Sequence, residues 1–168
     1  MNRLEVIRGE RPAERSNHGS TTRTQGQWYK TGRVFADFVV DGVVLSGVVR
    51  KMADLISVLG WGAKNVQDDA VNRLLLSLPS EFPDNRYALF VCPECGDMSC
   101  GAVTAVIERD GDSVVWRDWG FQNNYDGNPS TRDHLESLGE YHFLWADYQK
   151  AIRGAYGMGG FDQAGNVP

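Results

Sequence analysis

Three cysteines fall within nine residues, in the stretch CPECGDMSCG over 92–101. They stand between two runs that read as strands, RYALFV before and AVTAVIER after, both rich in side chains that fit a pleated, half-buried surface. The loop is therefore expected to join one strand to the next. A further run, SVVWRDW, faces AVTAVIER across Asp110-Gly111-Asp112, where glycine supplies the positive φ of a tight hairpin. The pattern predicts a three-stranded antiparallel meander with the cysteine loop at one end.

The rest of the chain fills in around that meander. VFADFVV and VVL flank Asp41-Gly42 and predict another hairpin. Ser46 is a candidate cap for a helix over 47–59, in which Val48, Val49, Met52, Leu55, Ile56 and Leu59 recur at helical spacing before Gly60. Asn65 similarly opens a helix over 66–77 that ends before Pro79. Asn128 with Pro129 predicts a short helix stopped by Gly139, and a last helix runs from Ala146 to Arg153, with Tyr148, Ala151, Ile152 and Ala155 on one face. The expected fold class is α+β: an antiparallel β-sheet, hairpin plus three-stranded meander, packed against several helices. Residues 1–33, polar and unpatterned over 9–26, predict a mobile basic arm; 34–156 a single domain; and 157–168, rich in glycine, a flexible tail.

At 168 residues, with 42% hydrophobic and 23% charged side chains, the chain has the composition of one ordinary globular domain. No apolar run approaches the length of a membrane span, and the first residues, MNRLEVIRGERPAER, lack the apolar stretch of a secretory signal, so a cytoplasmic location and no membrane partner are expected. The net charge of −5 is uneven. Residues 1–33 carry seven bases and three acids, whereas residues 94–147 carry eleven acids against Arg109, Arg117 and Arg132. That acidic half disfavours a nucleic-acid partner and favours a basic protein, since a concentrated negative field steers cations toward it.

The cysteines admit three chemistries. Cys92-Pro-Glu-Cys95-Gly has the spacing of a zinc knuckle, a tight turn that aims two thiolates at one metal. Cys100 supplies a third ligand, and Asp97, His134 or His142 are the candidates for a fourth. Redox chemistry would require Cys92 at a helix N-terminus, and the next strand begins too soon for such a helix. Reduced cysteines packed as small hydrophobes in a β connection are the third reading. Outside this loop the sequence has no nucleophile elbow, no paired metal-binding histidines and no dinucleotide fingerprint, and Asp110 and Asp112 serve a turn.

The segment from Trp116 to Asp126 mixes aromatics, amides and acids in the manner of an interface. Glu94, Asp97, Asp118, Phe121, Asn123, Asn124, Tyr125 and Asp126 are the expected partner-binding residues.

The order FVVDGVVL, RYALFVCPECGDMSCGAVTAVIERDGDSVVWRDWGFQNNY and YHFLWADYQKAI resembles a set of small bacterial proteins of unknown function, some of which carry an oxidoreductase label. That resemblance supplies no catalytic residue. Size, acidity and the lack of catalytic groups are also similar to those of bacterial immunity proteins. The expected function is a non-enzymatic protein-binding module of immunity or inhibitor type, its acidic half occluding a basic toxin surface. The alternative is a small zinc-binding or thiol-dependent oxidoreductase-like protein using Cys92, Cys95 and Cys100.

Overall fold

The structure, a computed structural model, describes residues 1–16, 28–131 and 134–162. It is an α+β fold in which two antiparallel sheets share one core. The first sheet has three strands in the order β1 (Leu4–Arg11), β4 (Arg33–Val40) and β5 (Val43–Val44). Asp41 and Gly42, at φ 50° and 82°, make the expected turn between β4 and β5. Beside it, β2 (Glu14–Ser16) and β3 (Trp28–Lys30) form a small ribbon.

The second sheet has five strands. Its centre is the expected meander, β7 (Arg86–Val91), β8 (Ala102–Asp110) and β9 (Ser113–Gln122). Two further strands extend it: β6 (Ile56–Ser57) pairs with β7, and β10 (Tyr141–Leu144) with β9. Helix α2 (Lys64–Leu74) and helix α3 (Trp145–Gly154) follow the periodicity of the sequence, burying Val71 and Leu74 from one and Tyr148 and Ile152 from the other.

The core is aromatic at its centre. Trp116 of β9 is fully buried and meets Phe38, Trp119, Phe143 and Tyr148 edge-on, at ring centroid distances of 5.3, 5.9, 5.1 and 6.0 Å. Phe38 also packs edge-on to Phe90 at 5.7 Å, which joins the three-stranded sheet to the five-stranded one. Edge-to-face contacts of this kind add about 0.5–1.5 kcal/mol each beyond the area they bury.

Four sequence expectations are corrected. Residues 4–11, assigned to a mobile arm, form β1 and pair with β4 along their whole length, from Leu4 opposite Val40 to Arg11 opposite Arg33. Their alternating charges are what an edge strand wears on its solvent side. The part of the arm at 17–27 lies outside the described residues. The helix over 47–59 is reduced to α1 (Leu45–Val49), and Leu55, Ile56 and Leu59 are buried from non-helical chain around the short strand β6, with the Ala36 N–H donating to the Leu59 carbonyl at 2.9 Å. Apolar spacing alone does not separate a buried strand from a helix face, and Ser46 does not cap because its hydroxyl donates to Asp37. The helix after Asn128 is also replaced. Ser130 pairs through both backbone groups with Phe121, continuing the sheet, and among the described residues there only Leu135–Ser137 are helical, as a single 3-10 turn. In the tail, residues 157–162 dock on the domain: the Gly157 N–H donates to Gln67 Oε1 and the Gly159 N–H to the Gly60 carbonyl, each at 2.8 Å. Residues 163–168 lie outside the described residues. Among the described residues no helix is long and apolar enough to cross a membrane.

Asp37 is the one buried carboxylate of the first sheet without full pairing. It is 4% exposed, Oδ2 accepts the Ser46 hydroxyl and Oδ1 has no partner. Burial raises its pKa above the ordinary value, against the Ser46 bond and the charge of Arg50. A raised folded-state pKa favours the protonated form, so this group weakens the fold as pH climbs above the unfolded value of about 3.9. Asp37→Asn is expected to raise stability at pH 7 by about 1 kcal/mol, the scale of one buried polar mismatch, and to leave acidic pH nearly unchanged. Urea denaturation across pH measures this, and an Asn variant less stable at neutral pH refutes it.

Candidate metal centre

The cysteine loop leaves β7 at Val91 and re-enters the sheet at Ala102. The Gly96 N–H donates to the Cys92 carbonyl at 2.8 Å, closing the tight turn that the Cys-Pro-Glu-Cys-Gly spacing predicts. The Asp97 N–H then points at Cys95 Sγ, at 3.4 Å. Asp97 caps the 3-10 turn Met98–Cys100 by accepting the Ser99 N–H at 2.9 Å, and this turn brings Cys100 back over the loop. Gly101 returns the chain to β8 at φ 91°, and a Cβ there would stand 2.2 Å from the Phe121 ring. Only glycine suits that position.

The outcome is a cluster in which the sulfurs of Cys92, Cys95 and Cys100 all lie within 4.8 Å of one another, Cys95 and Cys100 being 3.4 Å apart. All three are free thiols. Three thiolates on a tetrahedral zinc at about 2.3 Å would stand about 3.8 Å apart, so the cluster fits that ion with small side-chain adjustments. Burial pushes Cys92 up, but the N–H groups of Cys95 and Glu94 and the two neighbouring thiols outweigh it and hold Cys92 below the usual thiol range. Burial and the adjoining sulfurs push Cys95 up to about 11. A charge on Cys92 opposes a second one on Cys95, and a cation among the sulfurs would remove that obstacle.

Of the candidate fourth ligands, Asp97 serves as the cap, and His142 stands on the opposite edge strand with Nε2 2.7 Å from Glu140. Neither these nor His134 joins the cluster among the described residues.

The loop is gripped from outside by residues that sequence reading passed over. Arg11, 6% exposed, donates to Glu94 Oε1 at 2.6 Å, to both oxygens of Asp54 at 3.3 and 2.7 Å, and to the Thr31 carbonyl at 2.7 Å. Thr31 gives Glu94 its N–H at 3.0 Å and its hydroxyl at 2.7 Å. Arg33 donates to the Pro93 carbonyl at 2.7 Å and lies over the Trp61 ring at 4.8 Å. Glu94, expected to face a partner, is thus an internal anchor. Beside the loop is a cleft of about 580 Å³, walled by Trp61, Val66, Leu74, Ala88 and Met98 and bordered by Cys95.

The expected partner residues divide in the same way. Asp118 occupies a β-bulge at φ 54°, with its carboxylate on Arg117 and its carbonyl accepting the buried Arg86 guanidinium at 2.7 Å. Phe121 packs over Gly101. Asn123 accepts the N–H groups of Tyr125 and Asp126, at 2.9 and 2.8 Å, and so shapes the loop after β9. Asn124 and Asp126 are exposed, and Tyr125 is 85% exposed. Since Ala102 pairs with Gln122, the cysteine loop and the Tyr125 loop occupy the same end of the sheet. Comparison with known proteins finds no matching family model, curated protein or solved structure.

Burial would raise the Glu94 carboxyl, but Arg11 and Thr31 hold it down to about 2. A depressed folded-state pKa supplies stability above the unfolded value of about 4.3 that is lost as pH falls toward the folded one. Glu94→Gln is expected to flatten the acid limb of the stability curve in that window and to speed amide exchange across 93–96. An unchanged acid limb would mean that the Arg11–Glu94 pair adds nothing in solution.

Proposed function

We propose that the chain is a non-enzymatic, cytoplasmic protein-binding module whose cysteine loop holds zinc and whose partner face is the adjoining loop after β9. The observation that carries this reading is the convergence of three sulfurs within 4.8 Å at the sheet end that also presents Tyr125. Cys92, Cys95 and Cys100 would hold the metal, which would neutralise their charge and stiffen the turn, a structural contribution. Free thiols without a disulfide suit a reducing compartment. Phe121, packed on Gly101, ties the position of the Tyr125 loop to that of the cysteine loop.

The partner best matched to this end of the molecule is basic, and an immunity or inhibitor protein covering a toxin's cationic surface is the concrete form of the proposal. Asp126 and Asn124 are exposed beside Tyr125, an amphipathic anchor of the kind enriched at interface centres, and the Asp126 carboxylate accepts the Asn128 N–H at 3.3 Å. A thiol-dependent oxidoreductase has less support, because the turn after Cys95 is a single 3-10 turn whose cap is Asp97, and an acid there does not activate a thiolate.

Elemental analysis of protein purified without chelator is expected to find one zinc per chain, lost in Cys92→Ser and in Cys100→Ser with a fall in melting temperature. Folded wild-type protein free of metal after zinc addition would overturn the zinc assignment. For the partner face, Tyr125→Ala is expected to speed dissociation of a bound basic partner by about thirtyfold or more, about 2 kcal/mol and the threshold of a hot spot. Asp126→Lys should slow association and reduce its salt dependence, as measured by surface plasmon resonance. Binding indifferent to both substitutions would move the interface elsewhere.

A further inference from the structure

We propose that Cys95 and Cys100 form a dithiol that low-molecular-weight disulfides, glutathione disulfide among them, oxidise to an internal disulfide, with Cys92 left reduced. The sequence motif would pair Cys92 with Cys95, whereas the tertiary structure singles out a different couple. Cys95 and Cys100 are both exposed and their sulfurs are 3.4 Å apart. Cys92 is half-buried at the end of β7, and its carbonyl is tied into the turn by the Gly96 N–H. A disulfide bond is about 2.05 Å long, so closing the couple requires an approach of roughly 1.4 Å. Both residues are exposed, which leaves their side chains room to rotate by that distance.

The geometry also orders the steps. Cys95 borders the 580 Å³ cleft and neither other cysteine does, so an incoming disulfide reaches Cys95 first. The Cys95 sulfur attacks one sulfur of glutathione disulfide as its thiolate, which forms less readily than that of Cys92 but is the one the cleft exposes. The glutathione S–S bond breaks, and one glutathione leaves as a thiol with the proton from Cys95. The Cys100 sulfur then attacks the Cys95 sulfur of the mixed disulfide, whose bond breaks to release the second glutathione with the proton from Cys100. Two electrons pass from the cysteine couple to glutathione disulfide, which ends as two thiols. The exchange does not rest on the zinc reading, but on that reading the new bond consumes two of the three metal ligands. Metal binding and the disulfide would then exclude each other, and the loop against Phe121 would have two covalent states.

The test uses the full chain, treated with chelator and then with glutathione disulfide, alkylated under denaturing conditions and cut after glutamate. Cleavage at Glu81, Glu94 and Glu108 separates fragment 82–94, which contains Cys92, from fragment 95–108, which contains the proposed couple. The expected result is loss of two of the three thiols, with fragment 95–108 lighter by two hydrogens and unalkylated, and Cys92 alkylated. Cys92→Ser should oxidise in the same way, while Cys100→Ser should retain glutathione on Cys95. Fragments 82–94 and 95–108 linked to each other, glutathione persisting on the wild-type chain, or three alkylated thiols would each overturn the proposal. Cys92→Ser also separates this inference from the zinc reading, because that variant should lose the metal and keep the disulfide.

Discussion

The guanidinium of Arg11 holds together four stretches that are distant in sequence. It sits nearly buried between Asp54, Glu94 and the Thr31 carbonyl, and so fastens the end of β1, the turn after α1, the approach to β4 and the cysteine loop to one point. A buried charge survives only where its hydrogen-bonding capacity is met, and removing one partner leaves the others uncompensated. The rigid placement of the thiols therefore depends on a strand at the other end of the chain. Without that clamp the loop would keep only its own turn and the contacts of Thr31 and Arg33.

A second polar knot supports the same end of the sheet from within. Arg86, 7% exposed, donates to the Thr104 hydroxyl, to Gln122 Oε1 at 2.9 Å and to the Asp118 carbonyl at 2.7 Å, and pairs with no carboxylate among the described residues. Burial lowers its pKa, and neutral oxygens satisfy the group. The bulge that leaves Asp118 at positive φ provides one of those oxygens. The backbone irregularity, the buried cation and the position of Gln122 at the root of the Tyr125 loop thus form one arrangement. The two candidate sites are anchored independently, by Arg11 outside and Arg86 inside, and meet where Gly101 admits the ring of Phe121.

Charge is distributed differently from what a count along the chain implies. Glu108 and Asp118 are paired with Arg117 and Glu94 with Arg11, and Glu140 shares a hydrogen bond with His142. Part of the acidity between 94 and 147 is therefore used inside the molecule, and Asp126, in the aromatic loop, makes no ion pair among the described residues, its carboxylate accepting the Asn128 N–H at 3.3 Å. Exposed pairs of this kind are worth little to stability individually, but they reduce the field that a partner meets.

The sequence by itself determined whatever depends on neighbouring residues. The meander, the Asp41-Gly42 hairpin, α2, α3 and the turn of Cys92-Pro-Glu-Cys95-Gly follow from alternation, helical spacing and turn chemistry, which act over a few positions. Tertiary structure decided the rest. Leu4–Arg11 became a strand because β4 offered a free edge, and the apolar positions after Val49 became non-helical because β7 and Ala36 took their backbone groups. The Asn128 cap lost to Phe121, whose backbone already paired with Ser130. Cys100 reached Cys95, and Arg11 reached Glu94 across 83 positions. Such contacts depend on which surfaces remain to be covered once the local elements have formed, and a polar side chain far away in the chain carries no local sign of the partner it will meet.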